Sequence, residues 1–194
     1  MEKTNTNFLE SAKNLFRYYK LLADKAMKQL EPAQLFFSEG EDCNSIAVIV
    51  QHMSGNMLSR WTDFLTTDGE KPWRDRDSEF EEKLKTPEDL FVAWEKGWDC
   101  LFAALDSVTD EQLGTMVYIR NEGHSILEAV NRQLAHYSYH AGQIVFYAKL
   151  LKRGSWDSLS IPRAGSKVYN DDKFSKEQSI QNFTKEESNR LENK

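Results

Sequence analysis

Cysteine, proline and glycine are all scarce in this chain of 194 residues, at two, four and nine. Cys43 and Cys100 can form neither a disulfide framework nor a CxxC redox or zinc motif. With no secretory leader in view, the expected compartment is a reducing cytoplasm. So few prolines and glycines also argue against a loop-rich β protein. No apolar run approaches the roughly 18 residues of a membrane span, so no membrane partner is expected. Positive charge is short too: 25 basic against 31 acidic side chains leave a net charge of −6. That disfavours a nucleic-acid surface built on bulk charge, and no nucleic-acid partner is expected. GxSxG, Walker and Rossmann glycine patterns are missing, which removes several large enzyme classes.

What is present is helical periodicity, in four segments. The first carries Phe8, Ala12, Leu15, Tyr19, Leu22, Ala26 and Leu30 at spacings of three or four, with Asn7 and Glu10 placed for a capping box and Pro32 closing it. The second runs from Ser45 to Leu65 behind Ile46, Ile49, Val50, Met53, Met57, Trp61 and Phe64. The third opens with Thr86-Pro87-Glu88-Asp89, an N-cap, a proline at N1 and acids facing the helix dipole. The fourth opens with the capping-box pattern Ser125 to Glu128 and stops at Gly154. Helices of this length suit an all-α four-helix bundle over residues 1–165, with a closing loop around Trp156, Leu159 and Ile161. The charged link between the second and third segments, roughly 20 residues, is long enough to cross a bundle from end to end. Thr115 to Arg120 reads as extended. Residues 166–194 form a polar tail with balanced charge, too poor in apolar side chains to fold alone.

The four histidines carry the chemistry of interest. His136 and His140 are four apart on the fourth helix and share a face, with Gln143 and Tyr147 continuing the row. His52 lies at the border of the second helix's stripe, with Asn56 one turn later. If the two helices are neighbours, three imidazoles converge on one point, a facial three-nitrogen set for a divalent metal with a coordination position left open. Spacing alone leaves a second reading in place, in which His136 and His140 are core histidines and His52 a surface neighbour. His124, just before the Ser125 cap, suits a loop or helix-end role.

Other groups are less telling. Arg74-Asp75-Arg76-Asp77 reads as a self-paired solvated loop rather than an anion clamp. Arg120, Arg132 and Arg163 suit either an acidic substrate or pairing with the many carboxylates. The stripe Phe91, Trp94, Trp98 and Phe102 reads as core or interface, and Cys100 as small apolar filler.

The segments Ser45-Ile-Ala-Val-Ile-Val-Gln-His52-Met-Ser-Gly-Asn56 and Asn131-Arg-Gln-Leu-Ala-His136-Tyr-Ser-Tyr-His140-Ala-Gly-Gln143 resemble the DinB/YfiT-like superfamily. Ser59 to Phe64, Asp68 to Lys71 and Leu159 to Arg163 are similar to one branch of it, described as a domain of unknown function. The resemblance covers about residues 5 to 170. It implies a four-helix bundle in up-down-down-up order, with His52, His136 and His140 holding a divalent ion such as zinc or nickel, and a homodimer. Some relatives are thiol S-transferases using low-molecular-weight thiols such as bacillithiol; others have been called hydrolases. The expected function is therefore a metal-dependent thiol transferase acting on small electrophiles. Asn56, Gln143 and Tyr147 are candidates to orient ligands or substrate. The alternative is a non-catalytic dimeric helical module that binds a ligand or partner.

Overall fold

A computed structural model describes residues 7–40, 42–179 and 182–193. Residues 1–6 of the expected 1–165 unit, Glu41, and Ile180, Gln181 and Lys194 of the expected tail lie outside the described residues. The chain is mostly helical with one small two-stranded sheet. Its helices are α1 (Phe8–Met27), α2 (Ile46–Trp61), α3 (Pro87–Asp106), α4 (Ile126–Lys152), α5 (Ser166–Phe174) and α6 (Phe183–Glu192). Strands β1 (Met116–Ile119) and β2 (Glu122–Ser125) form an antiparallel hairpin just before α4. Among the described residues, no helix is long and apolar enough to cross a membrane.

The four long helices share one core. α1 packs on α4 and α2 on α3, while α2 also meets α4 and α1 meets α3. Trp94 and Trp98 of α3, Phe16 of α1 and Tyr137 of α4 are fully buried there. Trp98 lies 5.9 Å from the Tyr137 ring, edge on, and 5.8 Å from Phe102, stacked. The aromatic stripe of α3 is thus core, as its spacing indicates.

Local chemistry explains most helix ends. Thr86 accepts from the Asp89 amide at 3.1 Å, and Pro87 takes N1. Ser125 and Glu128 form the expected capping box, and α4 ends in left-handed Arg153 followed by Gly154 at φ 113°. Two expectations fail. Asn7 makes no side-chain cap; the Asp110 carboxylate instead accepts from the Leu9 amide at 3.3 Å, across 101 residues. The second segment stops at Trp61 rather than Leu65, because Asp63 turns left-handed (φ 47°) and its carbonyl accepts from the Thr66 and Thr67 amides. Phe64 stays buried against Trp61 past the helix end, which is why the apolar period runs on.

The buried face of α1 is also turned by about one residue from the stripe in the sequence. Leu9, Ala12, Phe16, Ala23, Ala26 and Met27 are buried, whereas Phe8, Leu15, Tyr19 and Leu22 form a half-buried shoulder. α6 also packs on α1, on the side of Glu10, Asn14 and Tyr18. Phe183 meets the Tyr18 ring at 6.1 Å, Lys185 pairs with Glu10 at 2.8 Å, and Leu191 is fully buried. Of the tail's described apolar side chains, Leu191 is buried, while Val168, Phe174 and Phe183 stay exposed.

Candidate metal centre

α2 is buried almost all round, yet it carries His52, Asn56 and Arg60 at i, i+4 and i+8, all buried. Polar side chains on one line of a buried helix must meet polar partners. They face a second polar line on α4, formed by Gln133, His136 and His140. The rings of His52, His136 and His140 come together, with one ligating nitrogen from each lying within 4.8 Å of the others. Centroids stand 4.7 Å apart for His136 and His140, 5.0 Å for His52 and His140, and 5.5 Å for His52 and His136.

Each ring is aimed by its neighbours. The Glu79 carboxylate accepts from His52 Nδ1 at 2.9 Å, which leaves His52 Nε2 as the lone pair toward the cluster. Gln143 Oε1 accepts from His140 Nδ1 at 2.7 Å, and Gln143 Nε2 donates to the Tyr139 hydroxyl at 2.9 Å. His140 Nε2 then faces His136 Nε2 at 3.0 Å. Two nitrogens on one ion at about 2.0–2.1 Å, at angles between octahedral and tetrahedral, stand roughly 3.0–3.4 Å apart, so this pair fits a shared cation. The charge states fit as well. Burial, with the rings of His140 and His52 and the guanidinium groups of Arg60 and Arg74, pushes His136 down to about 4. Burial also lowers His140, partly opposed by its bond to Gln143. Neutral imidazoles are the ligating form.

The link between α2 and α3 supplies what the helices lack. Arg74 grips Glu79 with two bonds, Nε to Oε1 at 2.7 Å and Nη2 to Oε2 at 2.9 Å. Burial alone would raise the Glu79 carboxyl, but bonds from His52 and Arg74 bring it below its ordinary value. Phe80 stacks on His52 at 4.9 Å. Gln51 pins the segment: its amide donates to the carbonyls of Ser78 and Glu79 and accepts from the Lys83 amide at 3.1 Å. The reading of Arg74 to Asp77 as solvated is therefore corrected in its first half. The Arg74 side chain is 2% exposed and committed to Glu79, while Arg76 stays exposed and reaches Asp77 at 4.0 Å.

Glu79 and Arg74 are the site residues that the sequence does not reveal. Gly55 is the available signal. A Cβ built on it would stand 2.5 Å from Glu79 Oε1, so this mid-helix glycine is the gap through which the carboxylate reaches His52.

Beside the histidines opens a cavity of about 250 Å³ lined by His52, His136, Asn56, Gln133 and five arginines, 60, 74, 76, 120 and 132. Asn56 Oδ1 accepts from the Tyr137 hydroxyl at 2.9 Å, which in turn accepts from Trp61 Nε1 at 3.2 Å, so Asn56 is held at the cavity wall. Tyr147 is not brought to the cavity: its hydroxyl donates to the Phe37 carbonyl at 3.3 Å, tying α4 to the first loop. His124 sits on the hairpin, 3.5 Å from Arg132, away from the triad. Arg163 does not line the cavity, and both cysteines are unpaired.

Two of the branch-like segments meet here. Ser59 donates to the Gly69 carbonyl at 2.8 Å and accepts from the Lys71 amide at 3.2 Å, and Arg60 pairs with Glu70 at 3.1 Å. These observations define a helical protein with three clustered histidines, His52 and His140 oriented by Glu79 and Gln143, at the edge of an arginine-lined pocket. The chain belongs to a family described as proteins of unknown function, DUF1572, which it matches over residues 3–165. Comparison with curated proteins and with solved structures finds no match.

Proposed function

We propose that the protein is a divalent-metal-dependent enzyme, a thiol S-transferase acting on small electrophiles, built on a DinB-like four-helix bundle in up-down-down-up order. The observation that carries the reading is the facing pair His136 and His140 with His52 beside them, oriented by Gln143 and Glu79. His52, His136 and His140 would hold the ion, zinc or nickel by donor type. When bound, such an ion supplies Lewis acidity that makes a thiol or water more acidic. The chain's own residues push the same way. The cavity lining contains no carboxylate among the described residues. Five guanidinium groups there favour a thiolate over a thiol, whose ordinary pKa is about 8.5. In the transfer, the thiolate sulfur bonds to the electrophilic carbon, the leaving group departs with its electron pair, and the thiol proton passes to water.

The reading extends to a cytoplasmic homodimer. Tyr139, Phe146 and Leu150 are exposed along one side of α4, the kind of face a second copy would cover. That stripe also favours the alternative, a non-catalytic interaction module. Protein purified without chelator is expected to carry close to one divalent ion per chain, and His136→Ala to lose it. Equal metal content in both would sink the metal site. Metal-loaded protein should accelerate conjugation of a low-molecular-weight thiol with monochlorobimane, releasing chloride. A stable dimer with no turnover across a thiol panel favours the interaction module.

A further inference from the structure

The arginine cavity is more than the proposed chemistry requires, and its pairing is incomplete. Glu70 is shared by Arg60 and Arg120 at 3.1 Å and by Arg74 at 3.5 Å, and Glu79 is held by Arg74. Asp68 is spent on backbone: it accepts from the amides of Glu70, Arg120 and Asn121 at 2.7 to 2.8 Å. Those carboxylates leave Arg76 and Arg132 without a close acid. Arg76 reaches only the fully exposed Asp77, at 4.0 Å, and lies over the Phe80 ring. Arg132 meets only His124, at 3.5 Å, among the polar side chains of the described residues. Two deeper atoms also want partners. Arg60 Nε and Gln133 Oε1 are buried with no hydrogen bond, although Arg60 is 7% exposed and Gln133 3%. Both residues line the cavity, so its wall holds an unpartnered buried donor and acceptor.

The backbone is bent to assemble this wall. Arg120 and Asn121 both take left-handed φ, 57° and 62°, at the tip of the β1–β2 hairpin. Glycine and asparagine serve such a turn cheaply, arginine does not, and strain of this kind gathers at functional sites. The net charge of −6 makes a cavity lined by five arginines a local reversal of the protein's field.

We infer that the cavity beside the histidines binds a small substrate bearing a dianionic group, a phosphate or a pair of carboxylates, held by Arg76 and Arg132. The inference names the substrate class of the proposed reaction and so rests on that reading, yet the anion site can be tested without turnover. A cavity of about 250 Å³ admits a molecule of a few carbons and one such group. Guanidinium groups suit either anion, since both accept paired N–H bonds.

The test is calorimetric titration with inorganic phosphate and with succinate, against chloride and succinamide, at pH 7.5 and low ionic strength. Wild type is used both as purified and after metal removal, beside Arg76→Gln/Arg132→Gln and His136→Ala. The two arginines are exposed, so their replacement leaves the core intact. Expected are saturable binding of a dianion to the metal-free protein, weakening of tenfold or more in the double arginine variant, unchanged metal content there, and retained binding in His136→Ala. Phosphate tighter than succinate assigns a phosphorylated substrate, and the reverse a dicarboxylate. Equal binding of chloride and dianions overturns the proposal. So does dianion binding that needs the metal and survives the double substitution, an outcome that leaves the metal reading standing. If the wild type carries no metal yet binds the dianion through the arginines, the metal reading fails and the anion site stands.

Discussion

His136 is held near pKa 4 against an ordinary 6.5 by burial and by the positive groups around it. An unfolded chain takes up the proton that the folded chain refuses between those values. In metal-free protein this contribution is complete above about pH 6.5 and drains away as pH falls toward 4. His140, also lowered, acts in the same direction. Glu70 and Glu79 are held below their ordinary 4.5, so their contribution is lost only at lower pH. Thermal melts of chelator-treated protein should show a lower Tm at pH 5.0 than at 7.5, with a smaller difference in His136→Gln/His140→Gln. Gly55 offers a second residue-scale test. Alanine there gains about 1 kcal/mol of helix propensity, but its Cβ collides with Glu79 Oε1 and frees His52 to rotate. Outer partners of a ligating histidine are worth about 10–100-fold in metal affinity. Competition against a chromophoric chelator should show that loss in Gly55→Ala, and again in Glu79→Gln. At this scale the sequence shows the three histidines, by helical spacing, and hides Glu79. The carboxylate comes from a charged link with no periodicity, and only the path of that link sets it against His52.

Short polar staples help to join the elements at the site. Asp68 is the clearest, since one carboxylate receives three backbone amides and so fastens the hairpin tip to the segment after α2. The Gly69 amide adds a bond to the Tyr118 carbonyl at 2.8 Å. Asp68→Ala should cost about 1–2 kcal/mol in urea unfolding, and speed amide exchange at Arg120 and Asn121 while leaving α1 and α3 unchanged. The α3 and α4 caps are local and legible in the sequence, because N-cap and N3 chemistry lies within four residues. The cap at α1 is not, because its acceptor lies on Asp110.

Across the whole molecule, the tail is part of the fold. α6 packs on α1, and Tyr169 of α5 donates to Glu187 of α6 at 2.8 Å. Leu191 is the buried anchor, and Leu191→Ala should weaken docking of the tail by about 2–5 kcal/mol. Limited proteolysis is the measurement: cleavage should begin between α5 and α6 in the variant well before the four long helices are cut. Size-exclusion chromatography with light scattering reads the proposed dimer, and Phe146→Glu/Leu150→Glu should shift it to monomer.

By itself, the sequence determined the class of protein: four long amphipathic segments, no apolar run of membrane-spanning length, no disulfide framework, and two histidines one turn apart on one helix with a third on another. Those are consequences of a period of 3.6 residues and of local capping, which need no distant partner. Tertiary structure decided the rest. It set which face of α1 is buried, docked α6 on that helix, buried Arg74 by giving it Glu79, and gathered five arginines from α2, α4, the link and the hairpin around one cavity. Each depends on which residues meet across tens of positions, and helical periodicity carries no information about such meetings.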